Sequence, residues 1–155
     1  MQVSQIMSKD FIVVDPDVEI SQIAQLLTEN SDSSILVMNK DGSIGGIITQ
    51  TDLLYKDIEP DSPLFIEFLG GIIYVQNVKT YQNELRKLLS IRAKEFMTSH
   101  VYTITPNDSI EKAAKFMVEK KIGHLPVIQD GKTIGMIKKS DIIKYVRDLI
   151  IKGAQ

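Results

Sequence analysis

Gly46-Ile47-Ile48-Thr49-Gln50-Thr51-Asp52, followed by Leu53-Leu54, is the stretch on which the rest of the chain is built. It reads as a short buried strand ending at Thr49 and turning into a helix whose first turn holds Asp52. The chain repeats it at Gly135-Met136-Ile137-Lys138-Lys139-Ser140-Asp141, followed by Ile142-Ile143. A hydroxyl leaving a strand and a carboxylate starting a helix suit a ligand that carries both a sugar diol and a phosphate. The diol can donate two hydrogen bonds to one carboxylate, and phosphate favours amides at a helix N-terminus.

Outward from this pair of turns, residues from Phe11 to Asp52 align with those from Val101 to Asp141. Met7 matches Met97, Pro16 matches Pro106, Ile20 matches Ile110, Ala24 matches Ala114 and Val37 matches Val127. The spacing shortens by one residue at the polar turns Asn39-Lys40-Asp41-Gly42 and Gln129-Asp130-Gly131, where length changes are easily tolerated. Each copy opens with an apolar strand, Phe11 to Val14 or Val101 to Ile104. Asp15-Pro16 or Thr105-Pro106 ends it, because the residue before proline prefers extended geometry. Ile20, Ile23, Ala24 and Leu27 then recur at helical spacing, as do Ile110, Ala113, Ala114 and Met117. Asp108 with Glu111 reads as a capping box for the second of these helices. A hairpin follows, Ile35 to Met38 with Ile44 to Thr49, or Leu125 to Ile128 with Thr133 to Lys138. A last helix begins near Asp52 or Asp141.

The expected fold is α/β (α+β): two pseudo-symmetric β-α-β-β-α repeats packed sheet to sheet, with a mostly helical insert. The first repeat spans residues 1–56, the insert 57–94, and the second repeat with its C-terminal helix 95–155. A unit of some fifty residues is marginal alone, so two are expected to share a core, with ligand clefts between them. In the insert, Ser62-Pro63 to Gly70 reads as a short helix. Ile72 to Val75 reads as strand-like, and Tyr81, Leu85, Leu88 and Leu89 as an amphipathic helix. Its Phe65, Phe68, Ile72, Ile73 and Tyr74 are read as core or dimer packing.

Composition narrows the function classes. The 155 residues are 43% hydrophobic and 25% charged, with a net charge of −2 and dispersed cations, so nothing points to nucleic acid. There is no cysteine, which excludes disulfides and thiolate chemistry. No apolar run is long enough to span a bilayer. No secretory leader fits the first nine residues, and the cytoplasm is the default compartment. Two distant histidines do not suggest a metal site. His100 is expected to be solvated. No nucleophile stands in a recognisable elbow and no base is paired with an orienting acid, so catalysis is not expected.

The paired pattern of Met7-Ser8 and Met97-Thr98, proline before the helix, Gly123-His124-Leu125-Pro126-Val127, and Gly46-Ile47-Ile48-Thr49 with Asp52 resembles the cystathionine-β-synthase (CBS) domain. Two such domains in tandem resemble a Bateman module. The resemblance implies an adenosine-containing regulatory ligand, AMP, ADP, ATP or S-adenosylmethionine, a homodimer, and an effector protein. It implies Thr49, Thr51 and Asp52 as ribose and phosphate contacts. Gly123, His124, Leu125 and Pro126 would line the same cleft. A second site would use Ser33, Ser34, Ile35, Lys138 and Asp141, with Lys138 in place of the family's hydroxyl. The competing reading is a ligand-free dimerisation or interaction module in which Thr49 and Asp52 act only as a helix cap.

Overall fold

The computed structural model describes residues 1–30, 34–55 and 90–153, without the side chains at 54 and 55. The expected insert elements between residues 62 and 89, and Ser33, lie outside the described residues. The chain divides into two compact units: Val13–Ser99, and Met1–Ile12 together with His100–Gln155.

In the Val13–Ser99 unit, β1 (Ile12–Val14), β2 (Ser34–Met38) and β3 (Ile44–Thr49) form a sheet in that order. Helix α1 (Ile20–Glu29) turns Ile23 and Leu27 inward, as the apolar spacing predicts. Ile35, Leu36, Val37 and Ile48 are fully buried with them. Four consecutive buried residues in β2 mean that the strand is covered on both faces. Helix α2 (Gln50–Tyr55) leaves β3 without a loop, two residues earlier than the expected start near Asp52. A short α3 (Ala93–Phe96) adds Ala93 and Phe96 to the core.

The second unit has α4 (Ile110–Lys120), β4 (His124–Gln129), β5 (Lys132–Lys138) and α5 (Lys139–Gly153). Its core unites Ile104, Ala113, Met117, Leu125, Val127 and Ile137. Pairing in both hairpins slips by one residue at matched places, between Val37 and Met38 and between Val127 and Ile128. The one-residue difference in repeat length falls in the turns. Asp130 and Gly131, with φ of 50° and 75°, make a two-residue turn needing positive φ at both positions. Three residues, Lys40-Asp41-Gly42, do the same work in the first copy, where Asn39 N still bonds Ser43 O at 2.8 Å.

Two expectations are corrected here. Val101 to Ile104 is not a strand; Ile104 alone makes a parallel bridge to Val127. Ile104 N donates to Pro126 O at 3.0 Å and Ile128 N to Ile104 O at 2.8 Å. The next ladder bond toward the N-terminus needs an N–H at residue 126, and proline has none. Leu36 occupies the matching position in the first copy, where β1 does form. Nor is Asp108 the cap of α4. Ser109 is, its side chain accepting from Lys112 N, while Asp108 Oδ2 accepts from Thr105 N at 2.9 Å and Thr105 Oγ1 at 2.8 Å.

The segment ahead of each repeat completes a unit, and it does so identically twice. Ala93 N donates to Val18 O (2.8 Å), Lys94 N to Pro16 O (2.9 Å) and Ile20 N to Ile91 O (2.9 Å). At matching positions Val3 N donates to Asp108 O (2.9 Å), Ser4 N to Pro106 O (3.0 Å) and Ile110 N to Met1 O (3.1 Å). Thr98 and Ile47 exchange both backbone bonds, at 2.9 and 3.0 Å, and Ser8 and Met136 exchange both at 2.8 Å. Each segment is thus a strap along the free edge of β3 or β5. Glycine is required beneath it. A Cβ on Gly46 would lie 2.5 Å from Met97 Sδ, and one on Gly135 2.8 Å from both Met7 Sδ and Ser8 O.

Candidate functional site

Thr49 ends β3 and Asp52 stands in the first turn of α2, so the chain direction reverses tightly between them. The carboxylate folds back onto the strand end. Asp52 Oδ2 accepts from Thr49 N and from Thr49 Oγ1, both at 2.8 Å. Accepting the backbone N–H just ahead of a helix is the returning half of a capping box. A third donor comes from far along the chain: Thr98 Oγ1 reaches Asp52 Oδ1 at 3.0 Å. The strap therefore supplies a hydroxyl to the residue expected to receive a ribose. Gln50 Nε2 ties the turn to Leu27 O at 3.2 Å. Thr51 is exposed beside these partly buried residues.

The second turn has the same backbone and a poorer set of side chains. Asp141 Oδ2 accepts from Lys138 N at 2.9 Å, but Lys138 has no hydroxyl to add. Ser8, which matches Thr98, turns its Oγ to Asp10 instead, bonding Asp10 O and Asp10 N at 3.1 Å each. Asp141 opens on a groove of about 440 Å³ that also meets Gln5, Ile6, Lys144, Tyr145 and Asp148.

The remaining expected residues take their places within hairpins. His124 pairs with Lys138 and Ser34 pairs with Thr49 across the strands. Lys139 N donates to Gly123 O at 2.9 Å, closing the base of that hairpin. Leu125 and Ile35 are fully buried in the two cores, and Pro126 is buried as well. These three can offer a ligand no more than backbone atoms without opening the core. Ser34 is 4% exposed. His100 is exposed, its ring edge-on to Tyr102 at 4.6 Å.

Thr98 is the residue that the sequence reading passed over. It lies in the Met97-Thr98 pair that helped mark the repeat, and its hydroxyl was the available signal. A 46-residue separation from Asp52 hides the contact from any local pattern. Among the described residues no group of His, Asp and Glu is arranged to hold a metal ion. None of the described helices is long and apolar enough to cross a membrane.

The CBS domain family matches residues 3–59 and 93–148, and the chain belongs to that family. A CBS domain-containing protein of Dictyostelium discoideum is 30% identical over 151 residues, covering 97% of this chain and 91% of that protein. Among solved structures, the CBS domain pair of protein MJ0100, in complex with 5′-methylthioadenosine and S-adenosyl-L-methionine, superposes with a TM-score of 0.68. It is 21% identical and covers 96% of this chain and 97% of its own. CBSX2 in complex with AMP gives 0.69, at 20% identity and 96% and 97% coverage. At such identity these two show a shared fold, that of a CBS domain pair.

Proposed function

We propose that this protein is a regulatory module that binds an adenosine-containing ligand, AMP, ADP, ATP or S-adenosylmethionine, at the Thr49–Asp52 turn. The observation that carries the reading is the carboxylate of Asp52, held at a strand-to-helix turn by donors from two separate segments and repeated in outline at Asp141. A carboxylate so oriented suits the two hydroxyls of a ribose. Two proteins of the same fold were solved with ligands of this class, which supports the choice. Thr51 at the rim and the Gly123-His124-Leu125-Pro126 segment are proposed contacts. Ser33, Ser34, Ile35, Lys138 and Asp141 form a weaker second set, in which Lys138 meets a phosphate as a point charge. The module is read as cytoplasmic, homodimeric, non-catalytic and answering to an effector protein. Residues 1–56 and 95–155 are proposed as its sequence repeats and 57–94 as its insert.

One observation favours the competing interaction module. Both oxygens of Asp52 already accept hydrogen bonds, as a purely structural cap requires. A melting screen with the four ligands separates the readings. A ligand that binds only the folded state stabilises it by about 2.7 kcal/mol at a hundredfold excess over its dissociation constant. That is a shift of several degrees. The expected result is a shift with at least one ligand that Asp52→Ala abolishes. No shift with any of the four would leave the interaction module as the better reading.

A further inference from the structure

We infer that Thr98 is a positioning residue for ligand capture, setting the plane of the Asp52 carboxylate from the strap. This rests on the reading that Asp52 receives a ribose diol. A carboxylate offers about four acceptor positions over its two oxygens. Thr49 N and Oγ1 both address Oδ2 and hold that oxygen in place. Thr98 Oγ1 fixes the other, Oδ1, at 3.0 Å. Its own backbone is held by two bonds to Ile47, so the hydroxyl comes from a rigid place. Thr49 Oγ1 can rotate away from Oδ2 to release an acceptor position there. A diol then meets two oxygens whose directions are already set, and little ordering is left for the ligand to impose.

The second unit is the internal control. Ser8 has the same two backbone bonds, to Met136, yet its hydroxyl serves Asp10 and not Asp141. The strap is therefore common to both units, and orientation of the carboxylate by the strap belongs to the first. Thr98 is also followed by Ser99, the last residue of its unit.

Titration of the full chain with AMP, ADP, ATP and S-adenosylmethionine tests the assignment, using wild type, Asp52→Ala, Thr98→Val, Thr98→Ser and Ser8→Val. Valine keeps the shape and both backbone bonds of Thr98 and removes only the hydroxyl; Thr98→Ala stands in should the valine variant fail to fold. Leaving a side chain for the ligand to order corresponds to roughly a two- to tenfold loss in affinity. The expected result is a loss of about that size in Thr98→Val, recovery in Thr98→Ser and no change in Ser8→Val. With the 2′,3′-dideoxy form of the nucleotide that binds best, Thr98→Val and wild type should bind alike, because no diol reaches Asp52. Equal affinity of Thr98→Val and wild type for the ribose form overturns the assignment. So does an equal loss for ribose and dideoxy forms, which marks a merely structural role. If binding is lost in Asp52→Ala but untouched in Thr98→Val, only the role of Thr98 falls. If wild type binds none of the four, the ligand reading falls and Thr98 with it.

Discussion

The turn at Thr49–Asp52 and the turn at Lys138–Asp141 share a backbone and differ in the side chains offered to the carboxylate. In both, the carboxylate of the helix's first turn accepts the N–H that closes the strand. The first adds a hydroxyl from Thr49 and another from Thr98. The second offers Lys138 and a serine that bonds elsewhere. Duplication has thus kept the frame twice and the full donor set once. The frame is what folding needs, since a carboxylate that satisfies one N–H already caps a helix. The extra hydroxyls contribute less to the fold, so their presence in one copy is the better pointer to ligand chemistry.

The largest effects should come from the frame that the copies share. Gly135→Ala forces a Cβ to 2.8 Å from the Ser8 carbonyl oxygen, a backbone atom that cannot easily yield. Destabilisation of about 3 kcal/mol is expected in urea unfolding. The three atoms nearest a Cβ on Gly46 all belong to the Met97 side chain, so Gly46→Ala should cost about 2 kcal/mol, part of it recovered in Gly46→Ala/Met97→Ala. Neutral behaviour at both glycines would mean that the straps are not seated as described.

Asp52→Ala removes the acceptor of the bonds from Thr49 N, Thr49 Oγ1 and Thr98 Oγ1 and should cost about 2 kcal/mol, against about 1 kcal/mol for Asp141→Ala, which removes the acceptor of the Lys138 N–H. Equal costs in chemical denaturation would erase the distinction between the turns. A smaller difference is pH-dependent. Asp108 is held below the usual carboxylate range, first by the hydrogen-bonded Lys112 ammonium and then by the Thr105 N–H; the first copy has Val18 there. A carboxylate depressed in the folded state stabilises above its unfolded value near 3.9, and that contribution disappears as pH falls through the folded value. Asp108→Asn should therefore cost about 1 kcal/mol at pH 7 and progressively less below about pH 4. A constant difference from pH 7 to pH 2.5 would show that the carboxylate's charge is not involved. The smallest expected change is a gain. Lys138→Thr restores the missing hydroxyl beside Asp141 and should stabilise by about 0.5 kcal/mol. A loss would show that the lysine supports its turn in a way that the carboxylate contacts do not account for.

Much of this was legible in the sequence. Ile23 and Leu27, and Ala113 and Met117, are buried because apolar groups at helical spacing can be hidden only on one side. The hairpins and their one-residue difference follow from Gly42, Asp130 and Gly131, whose positive φ suits turns. The carboxylates of Asp52 and Asp141 were identified as the centres of the two turns. Other features depended on partners distant in sequence. Pro126 was noted as part of a motif, but its effect on residues 101–103 depends on which carbonyl faces its missing N–H. Asp108 carries the residue type of a cap, yet Ser109 is the residue in position to accept from Lys112 N.

The sequence by itself determined the duplication, the order of elements and the two carboxylates, because these rest on periodicity, glycine and proline, all short-range properties of the chain. Tertiary structure decided which segment completes which unit, and that Thr98 meets Asp52. A strap of some ten residues carries too few apolar positions to announce its docking site. Its choice is made by a free strand edge, by room above a glycine, and by a hydroxyl whose acceptor lies 46 residues earlier.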